Sequence, residues 1–342
     1  MMDTRFSKEQ VIFGLDIGTR SVVGIVGYKA VGSFNVIADY KLEHDTRSMI
    51  DGQIHDVTRV VSTIQKVKSE LEKQIGFPLK EVSIAAAGRV LKTCQIHVEQ
   101  EVDTNTIIDS DRIYALELLG IEKAHQEIHE SGNKEDSGFH CVGYTVSNYF
   151  LNGYEISTLE NHKGKRIGAD VLATFLPKEV IESLYQVVHK AGLEVKNLTL
   201  EPIAAIDVAI PPNYRLLNIA LVDIGAGTSD IAITKGGSII AYGMIPIAGD
   251  EITESLVHQY LIDFKTAEKI KIKSSGKSKE VSFKDILGRK HKVELSEVRE
   301  KLVPAMTSLV NDISEKIIAL NGNRPTNAVF ILGCGGQLKG FD

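Results

Sequence analysis

Leu221-Val222-Asp223-Ile224-Gly225-Ala226-Gly227-Thr228-Ser229-Asp230-Ile231-Ala232-Ile233 (LVDIGAGTSDIAI) sets two carboxylates and two glycines inside what otherwise reads as a buried β-hairpin. Near the N-terminus, residues 13–23 (FGLDIGTRSVV) repeat its beginning: Leu15-Asp16-Ile17-Gly18 answers Val222-Asp223-Ile224-Gly225. Each copy falls at the tip of a hairpin, a coincidence of place that chance explains poorly.

Glycine at such a tip permits positive φ and lets backbone N–H groups come close to an anion. A hydroxyl such as that of Thr19 or Thr228 adds a donor. An Asp just before the turn repels phosphate unless a divalent cation bridges the two, as magnesium does with carboxylates, water and phosphate oxygens. Two facing hairpins, each with one such Asp, would clamp a magnesium nucleotide between two lobes. The plainer alternative is that Asp and Gly are ordinary turn residues.

The rest of the chain is compatible with that arrangement. Its 342 residues suffice for two domains, each with its own core. A hydrophobic content of 43% with 25% charged residues is that of a globular protein, and the formal charge of −6 gives no general attraction to nucleic acid or anionic lipid. No apolar run approaches the ~18 residues needed to cross a bilayer, and MMDTRFSKEQ has no apolar signal core, so the expected compartment is the cytoplasm. Cys94, Cys141 and Cys334 are too few and scattered for a disulfide framework or a four-ligand zinc site.

From Val11 to Tyr28 the pattern is strand, glycine turn, strand, with a further strand around Phe34 to Ala38. Asp56 then caps a segment in which Val57, Val60, Val61, Ile64, Val67, Leu71 and Ile75 recur at helical spacing, closed by Gly76 and Pro78. Val82 to Gly88 reads as a short buried strand. Residues 89–174 change character: strand patterns such as Cys94 to Val98 flank a helix around Asp111 to Glu130, as in an inserted α+β unit. A helix over Pro177 to Ala191 follows, then an extended segment from Leu193 to Leu200 and a helix opened by Glu201-Pro202. Leu216 to Gly237 repeats strand, turn, strand, and helices follow from Asp250 and from Ser296 to Leu320. The expected fold is α/β with duplicated cores. The first lobe takes residues 1–88 with 175–212, the insert 89–174, the second lobe 213–250 with 300–342, and a small basic subdomain 251–299.

These motifs carry a family resemblance. FGLDIGTRSVV resembles the first phosphate loop of the actin, heat-shock chaperone and sugar kinase superfamily, and LVDIGAGTSDIAI its second. Glu201-Pro202-Ile203-Ala204-Ala205 resembles the interdomain connecting helix, and residues 329–336 (VFILGCGG) the adenosine loop. Within the superfamily the similarity is to the FtsA branch of bacterial cell division, carried by residues 49–56 (MIDGQIHD), 245–253 (IPIAGDEIT), 267–271 (AEKIK) and the position and size of the unit inserted after Gly88. It covers residues 11 to 340 and implies the actin-like two-lobed ATPase fold, with ATP and Mg2+ as ligands.

Carried over residue by residue, the resemblance implies that Asp16 and Asp223 hold magnesium through water. Gly18, Thr19, Arg20, Gly225, Gly227 and Thr228 would surround the phosphates, with Asp230 behind them. Glu201 would orient the attacking water; as a bare residue it is equally a carboxylate favoured at a helix start. Asp250 matches the Gly-Asp pair near the phosphates, or is an ordinary N-cap. Glu268 and Lys271 match ribose and adenine contacts, or form a surface ion pair. Gly333, Gly335 and Gly336 would face the adenosine, but Cys334 puts a side chain where backbone approach is usual, which bears on nucleotide affinity. The chain stops at Asp342, before a final helix that the resemblance implies, as a trimmed chain would.

Three other motifs fail. Ser275-Gly276-Lys277-Ser278 lacks the earlier glycine of a Walker loop, position 271 being Lys; His125 and His129 lack the zincin Glu; Gly225-Ala226-Gly227 lacks the third glycine of a dinucleotide fingerprint. One regional feature stands out: Lys265, Lys269, Lys271, Lys273, Lys277, Lys279, Lys284, Arg289, Lys290 and Lys292 make a basic stretch in an acidic chain. By resemblance it is the FtsA region that receives the C-terminal tail of FtsZ. The implied function is a filament-forming, weakly hydrolysing ATP-binding protein that links FtsZ to the membrane. It would be cytoplasmic and peripheral at the inner face, reach the membrane through a segment outside this chain, and bind no nucleic acid. Alternatives are a PilM-like pilus scaffold that binds a membrane partner's peptide, and a sugar kinase, for which no sugar-pocket signal is present.

Overall fold

The structure, a computed structural model, describes residues 10–45, 48–50, 52–86, 91–104, 106–131 and 138–341. Gly88, where the insert is expected to open, and residues 132–137 of the polar stretch lie outside them.

The first unit runs β1 (Val11–Ile17), β2 (Ser21–Ala30), β3 (Ser33–Glu43), a minimal pair β4 (Met49–Ile50) and β5 (Gln53–Ile54), α1 (Val57–Ile75) and β6 (Glu81–Ala86). Alternation along β1 puts Phe13, Leu15 and Ile17 into the core and leaves Asp16 on the other face. The helix forms as its sequence dictates. Asp56 accepts a hydrogen bond from the Arg59 amide at 3.0 Å, and Gly76 closes the last turn with φ 79°. Its inward face, Val60, Ile64, Val67 and Leu71, is fully buried, each side chain contributing about 1.5–3 kcal/mol.

The insert comprises β7 (Lys92–Glu101), α2 (Ser110–Ser131), β8 (Phe139–Leu151), β9 (Tyr154–Ile156) and β10 (Arg166–Pro177), a sheet ordered β7-β10-β8-β9 with α2 against it. The chain returns through α3 (Lys178–Lys190) to β11 (Glu194–Leu200), which completes the first sheet in the order β11-β6-β1-β2-β3. Helices α1 and α3 share that sheet's core.

Helix α4 (Glu201–Ala209) then crosses to the second lobe: β12 (Ile219–Ile224), β13 (Ser229–Lys235), β14 (Ser238–Ile245), α5 (Gly249–Tyr260), α6 (Phe264–Ser274), the hairpin β15 (Glu280–Lys284) and β16 (Lys290–Glu294), α7 (Leu295–Leu320) and β17 (Ala328–Leu332). The second sheet is ordered β14-β13-β12-β17. Its centre repeats the first: β1 pairs antiparallel with β2 and parallel with β6, and β12 antiparallel with β13 and parallel with β17. The duplicated α/β cores are present. Helix α6 and the β15-β16 hairpin share a hydrophobic core with the second sheet through Ile270, Val281 and Phe283, although the sequence reading named no strands there. Among the described residues no helix is long and apolar enough to cross a membrane.

Candidate functional site

The two sequence copies fold into turns of equal length. Ile17 pairs with Val22 and Ile224 with Ser229, leaving four residues in each loop. The Gly18 amide donates to the Ser21 carbonyl at 3.0 Å, and the Gly225 amide to that of Thr228 at 2.9 Å. Gly18 therefore corresponds to Gly225, Thr19 to Ala226, Arg20 to Gly227 and Ser21 to Thr228. The two hydroxyls, Thr19 and Thr228, thus take different places in their turns. One correction concerns the glycines: Gly18, Gly225 and Gly227 are not among those with positive φ. A Cβ would stand 3.2 Å from the Ser21 carbonyl at Gly18 and 3.1 Å from that of Thr228 at Gly225, so a larger residue there would have to push the carbonyl back by a few tenths of an ångström.

Four carboxylates converge between the lobes. Asp16 ends β1, Asp223 occupies the same place on β12, Asp230 lies opposite Asp223 on β13, and Glu201 starts α4. Asp16 lies open to the cleft yet is surrounded by its walls. Burial first, then the charge of Asp223, raises its pKa to about 6, against a smaller lowering by Lys41. Glu201 is raised well above its ordinary value by burial and then by Asp16, Asp230 and Asp223; Asp223 is raised by burial. Such crowding without a cation is relieved by taking up protons. Thr228 donates to Asp230 at 3.5 Å, and Thr19 accepts from the Gly52 amide at 3.0 Å, which leaves its hydroxyl proton available.

The loop after β17 presses on the second turn. Gly333 has φ 83°, and a Cβ on it would stand 2.3 Å from Oδ1 of Asp223; one on Gly335 would meet Ile224 at 2.6 Å. Cys334 between them is exposed, its Sγ 3.8 Å from Lys41 Nζ of the first lobe, so its side chain leaves the glycine contacts intact. A Cβ on Gly336 would meet Ile331, away from the turn.

A second polar group flanks the carboxylates. Arg20 donates from the first loop to Asp250 on α5 and to Glu268 on α6. Asp250 is not the N-cap: the helix begins at Gly249, Ala248 stands in the cap position, and Glu251 accepts from its amide at 2.8 Å. Glu268 and Lys271 do pair, at 2.8 Å, but not on the surface, and Lys271 is only 6% exposed. The Lys271 ammonium donates to the Gly249 carbonyl and to Thr253, each at 2.7 Å. Burial raises Glu268, but Lys271, Thr253 and Arg20 outweigh it and hold its pKa below the ordinary carboxylate value; burial keeps Asp250 above, despite Arg20. Lys271 therefore leaves the basic surface and belongs to the cleft.

The sequence profile of the family "Cell division protein FtsA" matches residues 220–329, the stretch that holds the second turn. The FtsA proteins of Bacillus subtilis and Pseudomonas aeruginosa are 24% and 26% identical over 78% and 77% of this chain. The PilM-PilN type IV pilus biogenesis complex superposes with a TM-score of 0.69 at 14% identity, over 96% of this chain and 83% of that one. MreB5 of Spiroplasma citri bound to ADP gives 0.51 at 17% identity, over 98% and 88%. The chain has the fold of actin-like proteins and is similar in sequence to FtsA. It spans 58% and 61% of the length of those two FtsA relatives.

In this actin-like frame most of the sequence-derived residues meet in one cleft. Asp16, Gly18, Thr19, Arg20, Glu201, Asp223, Gly225, Gly227, Thr228, Asp250, Glu268, Lys271, Gly333 and Gly335 all lie on or beside the two turns. Sequence reasoning passed over Lys41, which reaches Cys334 and acts on Asp16, His44, whose Nε2 meets the Gly18 carbonyl at 3.2 Å, and Thr253. None carries a local motif; Thr253 at helical spacing from Gly249 was the one available signal. Of the rejected motifs, His125 and His129 sit with Nε2 atoms 3.2 Å apart, and His125 stacks on Phe175 in the core of the insert.

Proposed function

We propose that this cleft binds a magnesium nucleotide, ATP by preference, and that the protein serves bacterial cell division as an FtsA-type, filament-forming adaptor between FtsZ and the membrane. The carrying observation is the convergence of Asp16 and Asp223 from two equivalent turns, with Glu201 and Asp230 beside them and raised pKa values that call for a cation. The glycine-lined turns and the close-packed Gly333 and Gly335 provide the cradle. Asp16 and Asp223 would hold the magnesium through water. A bound magnesium ion supplies charge neutralisation of the phosphates. Thr19, Gly227 and Thr228 would donate to phosphate, while the amides of Gly18 and Gly225, already spent on closing their turns, would shape the loops around it; Glu268 and Lys271 would face ribose and base, and Glu201 would orient a water. Hydrolysis would be slow, and nucleotide would act chiefly by its differential affinity for the closed state.

The basic residues that remain outside the cleft, Lys265, Lys269, Lys273, Lys277, Lys279, Lys284, Arg289 and Lys290, would receive the acidic-containing FtsZ tail; Lys292 is paired with Glu280 at 2.6 Å. The protein would work in the cytoplasm at the inner face of the membrane. A second reading, a PilM-like scaffold that binds a membrane partner's peptide, is favoured by the TM-score of 0.69 to that complex. Calorimetric titration of ATP with and without magnesium tests the nucleotide claim, with no magnesium-dependent binding as the failing result. Pull-down with an FtsZ tail peptide, lost on reversing several lysines between 265 and 292, separates the division role from the pilus role.

A further inference from the structure

Arg20 bridges the two lobes beside the acidic cluster. The first turn belongs to one lobe, and Asp250 and Glu268 stand on α5 and α6 of the other. The guanidinium reaches both carboxylates, one through each terminal nitrogen, and its carbon lies 5.9 Å from the centre of the Phe264 ring. Side-chain exposure of Arg20, Asp250 and Glu268 is 26%, 18% and 15%, so water screens these contacts only in part. Glu268 is held in place from behind by Lys271 and Thr253, which makes it a fixed anchor.

Closure has an opponent. It brings Asp16 toward Asp223, and like charges in a walled cleft repel. In the ligand-free protein the contacts of Arg20 across the cleft are an attraction that offsets this repulsion. We infer that Arg20 is an interlobe latch that holds the cleft closed without ligand, and that the phosphates of an entering nucleotide compete with Asp250 and Glu268 for its guanidinium. The second half rests on the nucleotide reading above; the first does not. The latch is asymmetric by construction, since the equivalent position of the second turn is Gly227, which has no side chain to offer.

The test is electron-electron distance measurement on the full chain without nucleotide. Spin labels go on Asp45→Cys and Lys269→Cys, exposed positions on the two lobes, with Cys141 and Cys334 changed to serine. A single short distance is expected for Arg20 and a longer, broader distribution for Arg20→Gln, with far-UV circular dichroism unchanged. About 1 M salt should move the parent only part of the way toward the Arg20→Gln distribution, because partly buried ion pairs are screened less than exposed ones. The exchanged pair Arg20→Asp with Asp250→Arg should restore the short distance, which a general loss of folding would not allow. Coincident distributions for the parent and Arg20→Gln overturn the latch. Calorimetric titration with ATP and magnesium tests the competition separately: Asp250→Asn, which removes one competitor for the guanidinium, should bind ATP at lower concentration than the parent, and equal half-saturation overturns that half alone. A protein that never binds ATP would fail the nucleotide reading while leaving the ligand-free comparison intact.

Discussion

The two turns share backbone and differ in side chains. Both carry an Asp one residue before the loop's first flanking position, and both close with the loop's first residue, a Gly, donating its amide to the carbonyl of the loop's fourth. Around that shared frame the first turn presents Thr19 and Arg20, and the second Ala226 and Gly227. Opposite Asp16 the first hairpin has Val23; opposite Asp223 the second has Asp230. One copy thus supplies side chains that reach outward, to Gly52 and to the other lobe, while the other is bare at its tip and acidic behind it. Duplication sets two equivalent Asp positions on the cleft; divergence decides which half engages the other lobe.

The strongest way to break the equivalence is to remove one Asp at a time. Asp16→Ala and Asp223→Ala should each weaken magnesium-dependent ATP binding by about 100-fold or more, about 2.7 kcal/mol. Calorimetry with and without magnesium reads this directly. If only one variant loses affinity, the clamp is one-sided and the symmetry is only of backbone; if neither does, the nucleotide reading fails.

A smaller effect separates the strands that follow the turns. Asp16 pairs with Ala85 and Asp223 with Leu332, so Ala86 and Gly333 are counterparts. A buried Ala stands at the first position, while the second has φ 83° and space for no Cβ beside Asp223. Gly333→Ala should cost about 2–5 kcal/mol, a left-handed residue of roughly 1–2 with overpacking of roughly 1–3. Ala86→Gly should cost about 1 kcal/mol. Urea denaturation of the pair gives the answer, and equal costs would show that the loop after β17 moves aside.

Much of this was legible before any coordinates. Period-two alternation around Leu15 and Val222 with glycines at fixed offsets announces both hairpins, because strand burial and turn chemistry are local. The cap at Asp56 and the stripe through Leu71 announce α1 for the same reason. What was not legible is long-range. Lys271 reads as one more cation of a basic stretch, and only the packing of α6 on α5 turns it inward to Gly249 and Thr253. Asp250 reads as a cap because nothing near it in sequence announces Arg20, 230 residues away. The β15-β16 hairpin escaped notice because its strands are five residues each and rich in lysine.

The acidity of the two halves can be separated by pH. Asp16 has its pKa raised to about 6 in the folded protein, so it binds its proton more tightly folded than unfolded. Its contribution to ligand-free stability is then fully present below about pH 4 and lost as pH rises through about 6. The urea midpoint of the ligand-free protein should fall as pH rises from about 4 to about 6, and Asp16→Asn should flatten that part of the curve while the share from Glu201, raised well above its ordinary value, persists above it. Because a cation displaces the proton, magnesium ATP should bind more weakly at pH 5.5 than at 7.5. Parallel curves for Asp16→Asn and the parent would assign the acidity to the second turn alone.

The smallest expected effect probes the side chain that distinguishes the tips. Thr19 accepts from the Gly52 amide at 3.0 Å and so ties the first turn to the segment before α1, a tie its counterpart Ala226 cannot make. Thr19→Ala should cost about 0.5–1.5 kcal/mol, the net worth of one hydrogen bond. Ala226→Thr gives the second turn a hydroxyl with no corresponding amide and should gain nothing. If Thr19→Ala leaves stability unchanged but lowers ATP affinity, the hydroxyl serves the ligand rather than the loop. The first turn's outward reach would then rest on Arg20.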